Sequence, residues 1–121
     1  MMRTGTAIPR VLADAPLGTG LIEMSRKGLG MTVVVDPSDR ILGVFTDGDL
    51  RRAFDKQIDV HKTPMSAVMT LNGKTIGPRA LAAEAVHIME MHRITALPVA
   101  DPHGKLIGAL NVHDLFRAGV V

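Results

Sequence analysis

Two stretches of the chain, "GVFTDGDLRR" at residues 43–52 and "GALNVHDLFR" at residues 108–117, share one pattern. In each, an apolar run of strand type ends at a hydroxyl or amide residue, and an aspartate follows three positions later within a charged segment. Thr46 and Asp49 hold these positions in the first stretch. The pattern predicts a strand-to-helix junction that occurs twice.

An offset of 65 positions relates the two stretches and continues through most of the chain. It places Asn111 and Asp114 where the first stretch has Thr46 and Asp49. Other matched pairs are Ala15 with Ala80, Met24 with Met89, Val34 with Val99, Asp36 with Asp101, Gly43 with Gly108, and Leu50 with Leu115. Such self-similarity indicates a tandem repeat of one structural unit.

Each copy has the same order of local signals. A segment with apolar residues at helical spacing is followed by an apolar strand, a turn ("DPSDR" or "DPHGK"), a second strand and the helix of the quoted motif. One copy has too little apolar surface to be stable alone. We therefore predict an α/β fold in which two helix–strand–strand–helix units, residues 1–60 and 61–121, pack with pseudo-twofold symmetry.

The helix boundaries follow from proline and glycine. The join between the copies predicts a linker helix at about 63–70, with Thr63 as its N-cap and Pro64 at its first position. Pro16 suits the first turn of the first helix in the same way. The "GLG" at residues 28–30 is expected to end that helix.

The segment before each copy also matches, although with a gap. "VMTLNGKTI", which ends at Ile76, precedes the second copy, and "MRTGTAI", which ends at Ile8, precedes the first. The first copy has only the tail of this repeated segment. We therefore expect a piece of a longer protein whose upstream domain is absent.

Composition narrows the class of function. The 121 residues are 46% hydrophobic but only 2% aromatic, so the usual stacking platforms for single-stranded nucleic acid are missing. The formal net charge is only +2, and the basic residues are scattered, which also disfavours a nucleic-acid partner. The chain has no cysteine, no apolar run of the roughly 20 residues that span a membrane, and no signal-peptide core. We expect a cytoplasmic protein without a membrane partner.

The repeated motif has two compatible interpretations. As a capping box, Thr46 or Asn111 would cap the helix while the aspartate reaches back to the junction. As a ligand site, the free N–H groups of the helix would attract a phosphate, and the carboxylate would accept hydrogen bonds from the vicinal hydroxyls of a ribose.

No catalytic or metal set can be assigned from the residue pattern. His87 and His92 are five positions apart, which does not place them on one helix face. Glu84-x-x-His87 has the spacing of a carboxylate-bridged metal site but lacks the second motif that such a site requires. We expect no metal, and no serine–histidine–aspartate set is present to suggest catalysis.

The two motifs, "GVFTDGDL" and "GALNVHDL", together with "LPVAD" at residues 97–101, resemble a CBS-domain pair, also called a Bateman module. The second motif departs at Asn111, where that family usually has Ser or Thr. The segments "KGLGMTVVVD", "GVFTDGDLRRAF", "TIGPRALAAEAV", "ITALPVAD" and "HDLFRAGVV" are similar to the C-terminal half of bacterial arabinose 5-phosphate isomerases. The resemblance covers essentially the whole chain.

The resemblance implies a regulatory, ligand-sensing module without activity of its own. In that family, a preceding sugar isomerase domain carries catalysis in the synthesis of the lipopolysaccharide sugar Kdo. Across CBS pairs the matched Thr and Asp contact a ribose, which implies ligand-binding roles for Thr46 and Asp49 and for Asn111 and Asp114.

The remaining expected ligand contacts lie beside these four, at Asp47, Lys74, Thr75 and His113. The favoured effector is CMP-Kdo, the activated sugar of the pathway, and another cytidine or adenine nucleotide is also consistent. No cofactor is expected.

The resemblance also implies a homodimer through the CBS helices and contact with the chain's own isomerase domain. Leu50, Phe54, Leu115 and Phe116 lie in the corresponding helices. Two alternatives remain open. One is an oligomerisation module that binds no ligand, and the other is an adenine-nucleotide energy sensor.

Overall fold

The computed structural model describes residues 2–71, 73–117 and 119. In the first copy, a 3-10 turn is followed by β1 (Arg10–Leu12), α1 (Leu17–Lys27), β2 (Met31–Val35), β3 (Ile41–Thr46) and α2 (Asp47–Asp55). The second has α3 (Met65–Val68), β4 (Thr70–Leu71), α4 (Ala82–His92), β5 (Ala96–Ala100), β6 (Leu106–Asn111) and α5 (Val112–Arg117). The predicted α/β fold of two repeats is confirmed, although positions 1, 72, 118, 120 and 121 lie outside the described residues.

Two predicted helix starts are wrong by one residue. Helix α1 begins at Leu17 and α3 at Met65, so Pro16 and Pro64 are N-caps with extended backbone (ψ 150° and 155°) rather than first helical residues. The reason is a bridge between the two prolines. The Leu17 N–H donates to the Thr63 carbonyl at 2.8 Å, and the Met65 N–H donates to the Ala15 carbonyl at 2.8 Å. This pairing requires extended backbone at both prolines. The linker helix is accordingly shorter than predicted.

Helix α1 ends as predicted at Gly28. This residue is the C-cap, with φ 69°, and its N–H donates to the Met24 carbonyl. A side chain would be strained in that left-handed conformation, so glycine suits the position.

The repeats exchange their edge segments. Strands β2 and β3 form an antiparallel pair, as do β5 and β6, and β1 runs parallel to β2. Strand β4 lies near the start of the second copy but pairs with β3 of the first, with Thr70 opposite Val44. Arg3 lies near the start of the first copy but pairs with Ala109 in β6 of the second. Each repeat is therefore completed by a segment that enters the other.

The matching of Ile8 with Ile76 is wrong. Ile76 bridges Val99 in parallel, as Val11 bridges Val34, so Ile76 holds the place of Val11. Ile8 is instead buried in the apolar cluster between the repeats. The error arises because both isoleucines end similar segments, while strand pairing depends on residues distant in sequence.

The core has three parts. Each repeat has its own apolar cluster between its strands and helices. A third cluster draws on both repeats, as the two-copy prediction required, and contains Ile8, Leu29, Met31, Val33, Val35, Val44, Ala96, Leu106 and Ala109.

The hairpin turns of the two repeats also pair. The Ile41 N–H donates to the Gly104 carbonyl and the Leu106 N–H donates to the Asp39 carbonyl, both at 2.9 Å. These contacts hold the two strand-to-helix junctions in fixed relative positions.

Candidate functional site

The first junction is a capping box with additional partners. Thr46 is the N-cap of α2, and its N–H donates to Asp49 Oδ2 at 3.0 Å. Asp49 is only 6% exposed, yet its other oxygen, Oδ1, accepts from the Thr70 hydroxyl at 2.8 Å and from Arg52 at 2.5 Å. A buried carboxylate requires such partners. The junction thus brings residues from α2, β3 and β4 together around one charge.

A cleft opens beside this junction, between the two repeats. It consists of two adjoining cavities of about 260 and 370 Å³ that share Met31, Thr46, Arg52, His92, Ile94 and Ala96. Its first wall comes from the end of β3 and the start of α2, and its second from the end of α4 and the start of β5. We call it the first cleft.

The two ends of the first cleft differ in chemistry. The smaller cavity is lined largely by apolar side chains, together with Thr46, Asp49, Thr70 and Lys74. Its apolar lining residues are Met31, Val44, Ile94, Ala96 and Pro98. The larger cavity is more polar and includes Asp47 and Arg93, and Arg52 and His92 border both cavities. The cleft therefore has a mainly apolar cavity and a more polar cavity, with cationic side chains in both.

The second junction is built differently, although it lies at the matching position of the repeat. The Asn111 side-chain oxygen accepts from the His113 N–H at 2.8 Å, so Asn111 caps α5 as predicted. Asp114 does not complete the expected capping box. It bonds instead to Arg3 through Oδ2 at 3.1 Å and to Arg117 through Oδ1 at 2.9 Å. Arg3 is available because the exchanged edge segment brings it to β6.

Two carboxylates have shifted pKa values for different reasons. The hydrogen bond from Arg3 is the largest cause that lowers the pKa of Asp114, aided by the charges of Arg3 and Arg117. Asp101, in the β5–β6 turn, has a lowered pKa chiefly because the backbone N–H of Lys105 donates to it. The first shift reports a tertiary contact and the second reports a local turn.

The expected ligand residues are distributed over three places. Thr46, Asp47, Asp49 and Lys74 line the first cleft. Asn111, His113 and Asp114 lie at the second junction, where Asn111 is buried and His113 exposed. Thr75 lines a separate surface depression with Gly77 and Asp101, so it lies apart from both groups.

Several residues of the first cleft were not expected there, among them Thr70, His92, Arg93 and Ile94. They come from the linker and from the second repeat, and only the packing of the repeats brings them to Thr46. The offset of 65 positions matches Lys27 with His92 and Leu29 with Ile94. It therefore relates the wall beside one junction to the wall beside the other, but it does not show which wall faces which junction.

Among residues 2–71, 73–117 and 119, no group of three or more His, Asp or Glu residues is placed to hold a metal ion. In those same ranges no helix is long and apolar enough to cross a membrane.

The exchanged tandem repeat and its interrepeat cleft define a class of protein. The CBS-domain family model matches residues 2–56 and 65–121, and the chain belongs to the CBS-domain family. A CBS-domain containing protein from Agrobacterium tumefaciens has the same fold, with a TM-score of 0.80 and 25% identity, covering 93% of this chain and 84% of that one. CBSX2 of Arabidopsis thaliana in complex with AMP superposes with a TM-score of 0.81 at 23% identity, covering 98% and 91%.

The particular relatives are enzymes of one kind. The chain is 52% identical to arabinose 5-phosphate isomerase KdsD of Pseudomonas aeruginosa and 48% identical to that of Escherichia coli K12, over all 121 residues. It spans 37% of the length of these relatives. The resemblance to a CBS pair of this isomerase family is thereby confirmed.

Proposed function

We propose that this CBS pair is a regulatory module that binds a nucleotide or nucleotide-sugar in the first cleft. The observation that carries the proposal is the Thr46–Asp49 junction in a cleft with one mainly apolar and one more polar cavity and with cationic side chains in both. AMP is bound by CBSX2, which has the same fold. The apolar cavity would take the base, and the polar cavity, with Arg52 and Arg93, would take the phosphate.

The ribose would lie at the junction, where Asp49 already accepts hydrogen bonds. Thr70 and Arg52 both donate to its Oδ1 oxygen. The Arg52 side chain is 65% exposed and can rotate toward a phosphate. Oδ1 would then accept from a ribose hydroxyl, so the buried carboxylate stays satisfied in both states.

The particular effector we propose is CMP-Kdo, and the particular parent is an arabinose 5-phosphate isomerase. The identity to KdsD supports the parent. CMP-Kdo carries a cytosine for the apolar cavity, a ribose diol for Asp49, and a phosphate and an acidic sugar for the cations. The 121-residue module itself would not isomerise arabinose 5-phosphate, and turnover by the purified module above a protein-free control would contradict this assignment.

Isothermal titration calorimetry with CMP-Kdo, CMP and AMP tests ligand binding. Arg52→Gln should weaken binding roughly tenfold or more, because a charged hydrogen bond to phosphate contributes about 1.5–3 kcal/mol. Arg51→Gln is the matched control, since Arg51 is exposed on the same helix and does not line the cleft.

The ligand series separates the alternatives. A preference for CMP-Kdo over CMP and AMP supports the pathway effector, whereas a preference for AMP supports an adenine-nucleotide sensor. Equal affinities of the Arg51 and Arg52 variants would count against the first cleft as the phosphate site. No binding of any of the three would leave the oligomerisation module as the better explanation.

Assembly into a homodimer is the second function we propose, and it is compatible with ligand binding. An apolar groove of about 630 Å³ lies between α1 and α2, lined by Leu17, Leu21, Leu50, Ala53, Phe54 and Ile58 among others. Phe54 is 82% exposed and Phe116 on α5 is 54% exposed. Leu115, by contrast, is buried in its own repeat and is unavailable for a partner.

Light scattering with a Phe54→Ser, Phe116→Ser double variant tests the homodimer. Loss of two large apolar contacts should raise the dimer dissociation constant at least tenfold, given about 1.5–3 kcal/mol for a fully buried Phe. Leu71→Ser is the control, because Leu71 is 64% exposed but lies on β4, away from these helices. A wild-type monomer at high concentration would contradict the proposal.

A further inference from the structure

The repeat relates the first cleft to a second position, between Asp114 at the second junction and the end of α1, which we call the second cleft. One element at this position differs from the first cleft. At the first junction, Thr70 on the edge strand donates its hydroxyl to Asp49. The equivalent edge position at the second junction is Arg3, since Arg3 pairs with Ala109 as Thr70 pairs with Val44. A short neutral side chain is thus replaced by a long cationic one.

Arg3 reaches across from one repeat to the other. Its Nε donates to Asp114 Oδ2 at 3.1 Å, and its Nη1 donates to the Lys27 carbonyl at 2.7 Å. Lys27 ends α1 of the first repeat and holds the place that His92 holds in the first cleft. The guanidinium therefore spans the same two walls that a ligand would have to contact.

The contact between Arg3 and Asp114 is held by more than one interaction. The Arg3 side chain is 29% exposed and the Asp114 side chain is 18% exposed, so their hydrogen bond is partly shielded from water. The Lys27 carbonyl lies at the negative end of α1, which favours a cation. The Arg3 backbone is also fixed, because its N–H donates to the Ala109 carbonyl at 2.8 Å and its carbonyl accepts from the Ala109 N–H at 3.0 Å.

We propose that Arg3 is a tethered occupant of the second cleft, so that the module binds one nucleotide per chain, in the first cleft. A ribose at Asp114 could displace the exposed Arg117 from Oδ1, as a ribose at Asp49 would displace Arg52. Arg3 would still be bonded to Oδ2 and to the Lys27 carbonyl, and it would have to leave both partners to free the space between the two walls. A ribose at Asp49 has to displace only Arg52, which is mostly exposed, and a threonine hydroxyl. The inference rests on the proposed nucleotide function. It assigns the number of nucleotides bound per chain and identifies Arg3 as the residue that determines which junction binds one.

Calorimetric titration of the 121-residue protein with AMP and with CMP as probes tests the proposal. We expect one site in the wild type, at least tenfold weaker binding in Arg52→Gln, and less than a twofold change in Asp114→Asn. Arg3→Met keeps much of the aliphatic stem but removes the guanidinium, and we expect it to add a second, weaker site that Asp114→Asn abolishes. Arg117→Met is the matched control, because Arg117 also bonds to Asp114 but is 74% exposed and should leave one site.

The outcomes separate this proposal from the proposed function. Two sites in the wild type, or a single site in Arg3→Met that folds normally by circular dichroism, would overturn the role of Arg3 and leave nucleotide binding intact. Binding by Arg3→Met but not by the wild type would support the role of Arg3 and overturn the first cleft as the site. If neither protein binds AMP or CMP and the wild type also fails to bind CMP-Kdo, both proposals are overturned.

Discussion

Thr32 is a polar residue in a buried strand. Its side chain is fully buried in β2, and its hydroxyl has no hydrogen-bond partner among the described residues. A buried polar group without a partner costs free energy. We expect Thr32→Val to raise the free energy of unfolding by about 1 kcal/mol, because valine keeps the branched shape and removes the hydroxyl. Urea denaturation measures this, with exposed Thr19→Val as a control that should change little.

Asp114 offers a direct test of its contact with Arg3. Since the pKa of Asp114 is lowered in the folded protein, the contact stabilises the fold above the ordinary pKa of 3.8 and is lost as the pH falls through the folded value. We expect Arg3→Met to move the Asp114 pKa upward in a carbon-detected NMR titration. The pKa of Asp101 should stay where it is, because a backbone N–H lowers it. An unchanged Asp114 pKa would show that Arg3 does not hold the carboxylate in solution.

At the scale of elements, the exchanged edge strands explain two equivalent glycines. A Cβ on Gly43 of β3 would lie 2.8 Å from the Thr70 carbonyl oxygen, which belongs to the backbone of β4 and cannot move without breaking the pairing. The three atoms nearest to a Cβ on Gly108 of β6 would all belong to the flexible side chain of Met2. The close backbone of β4 therefore requires glycine at position 43 more strictly than the Met2 side chain requires it at position 108.

Alanine at the two glycines tests this difference. Gly43→Ala should lower the free energy of unfolding by about 1–3 kcal/mol, since β4 must shift to relieve the overlap. Gly108→Ala should cost less, because the flexible methionine can rotate away. Thermal denaturation followed by circular dichroism compares the two. Equal destabilisation would mean that the packing of β4 on β3 is looser than the structure indicates.

The whole molecule is held together by contacts that cross between the repeats. The central apolar cluster, the exchanged edges and the paired hairpin turns all combine residues of both copies. Neither repeat can unfold without exposing the central cluster and freeing an edge of the other. The stability of the module is therefore expected to be a property of the pair.

We predict one cooperative unfolding transition for both repeats. Leu97→Ala removes a fully buried side chain from the second repeat's own cluster and should cost about 2–5 kcal/mol. It should lower the unfolding midpoint of both repeats together. The chain has no Trp or Tyr, so residue-resolved NMR in urea is the suitable measurement. Separate midpoints for amides of the first and second repeats would contradict this prediction.

The sequence by itself determined the repeat, the order of its elements and the two junctions. These features depend on residues close together in the chain. Apolar alternation, the turns after Asp36 and Asp101, and the capping residues Thr46 and Asn111 act within a few positions. The one-residue errors at Pro16 and Pro64 arose where a distant bridge overrode the local preference.

Only the tertiary structure decided which segment completes which sheet, and with it the composition of each cleft. Thr70 and Arg3 are both edge residues with similar backbone groups, and nothing local to either residue shows that it pairs with the other repeat's strand. The bond between Arg3 and Asp114 joins residues 111 positions apart. Packing of the shared core selects these pairings, because burying the central cluster brings the edges of both repeats to the positions where they meet.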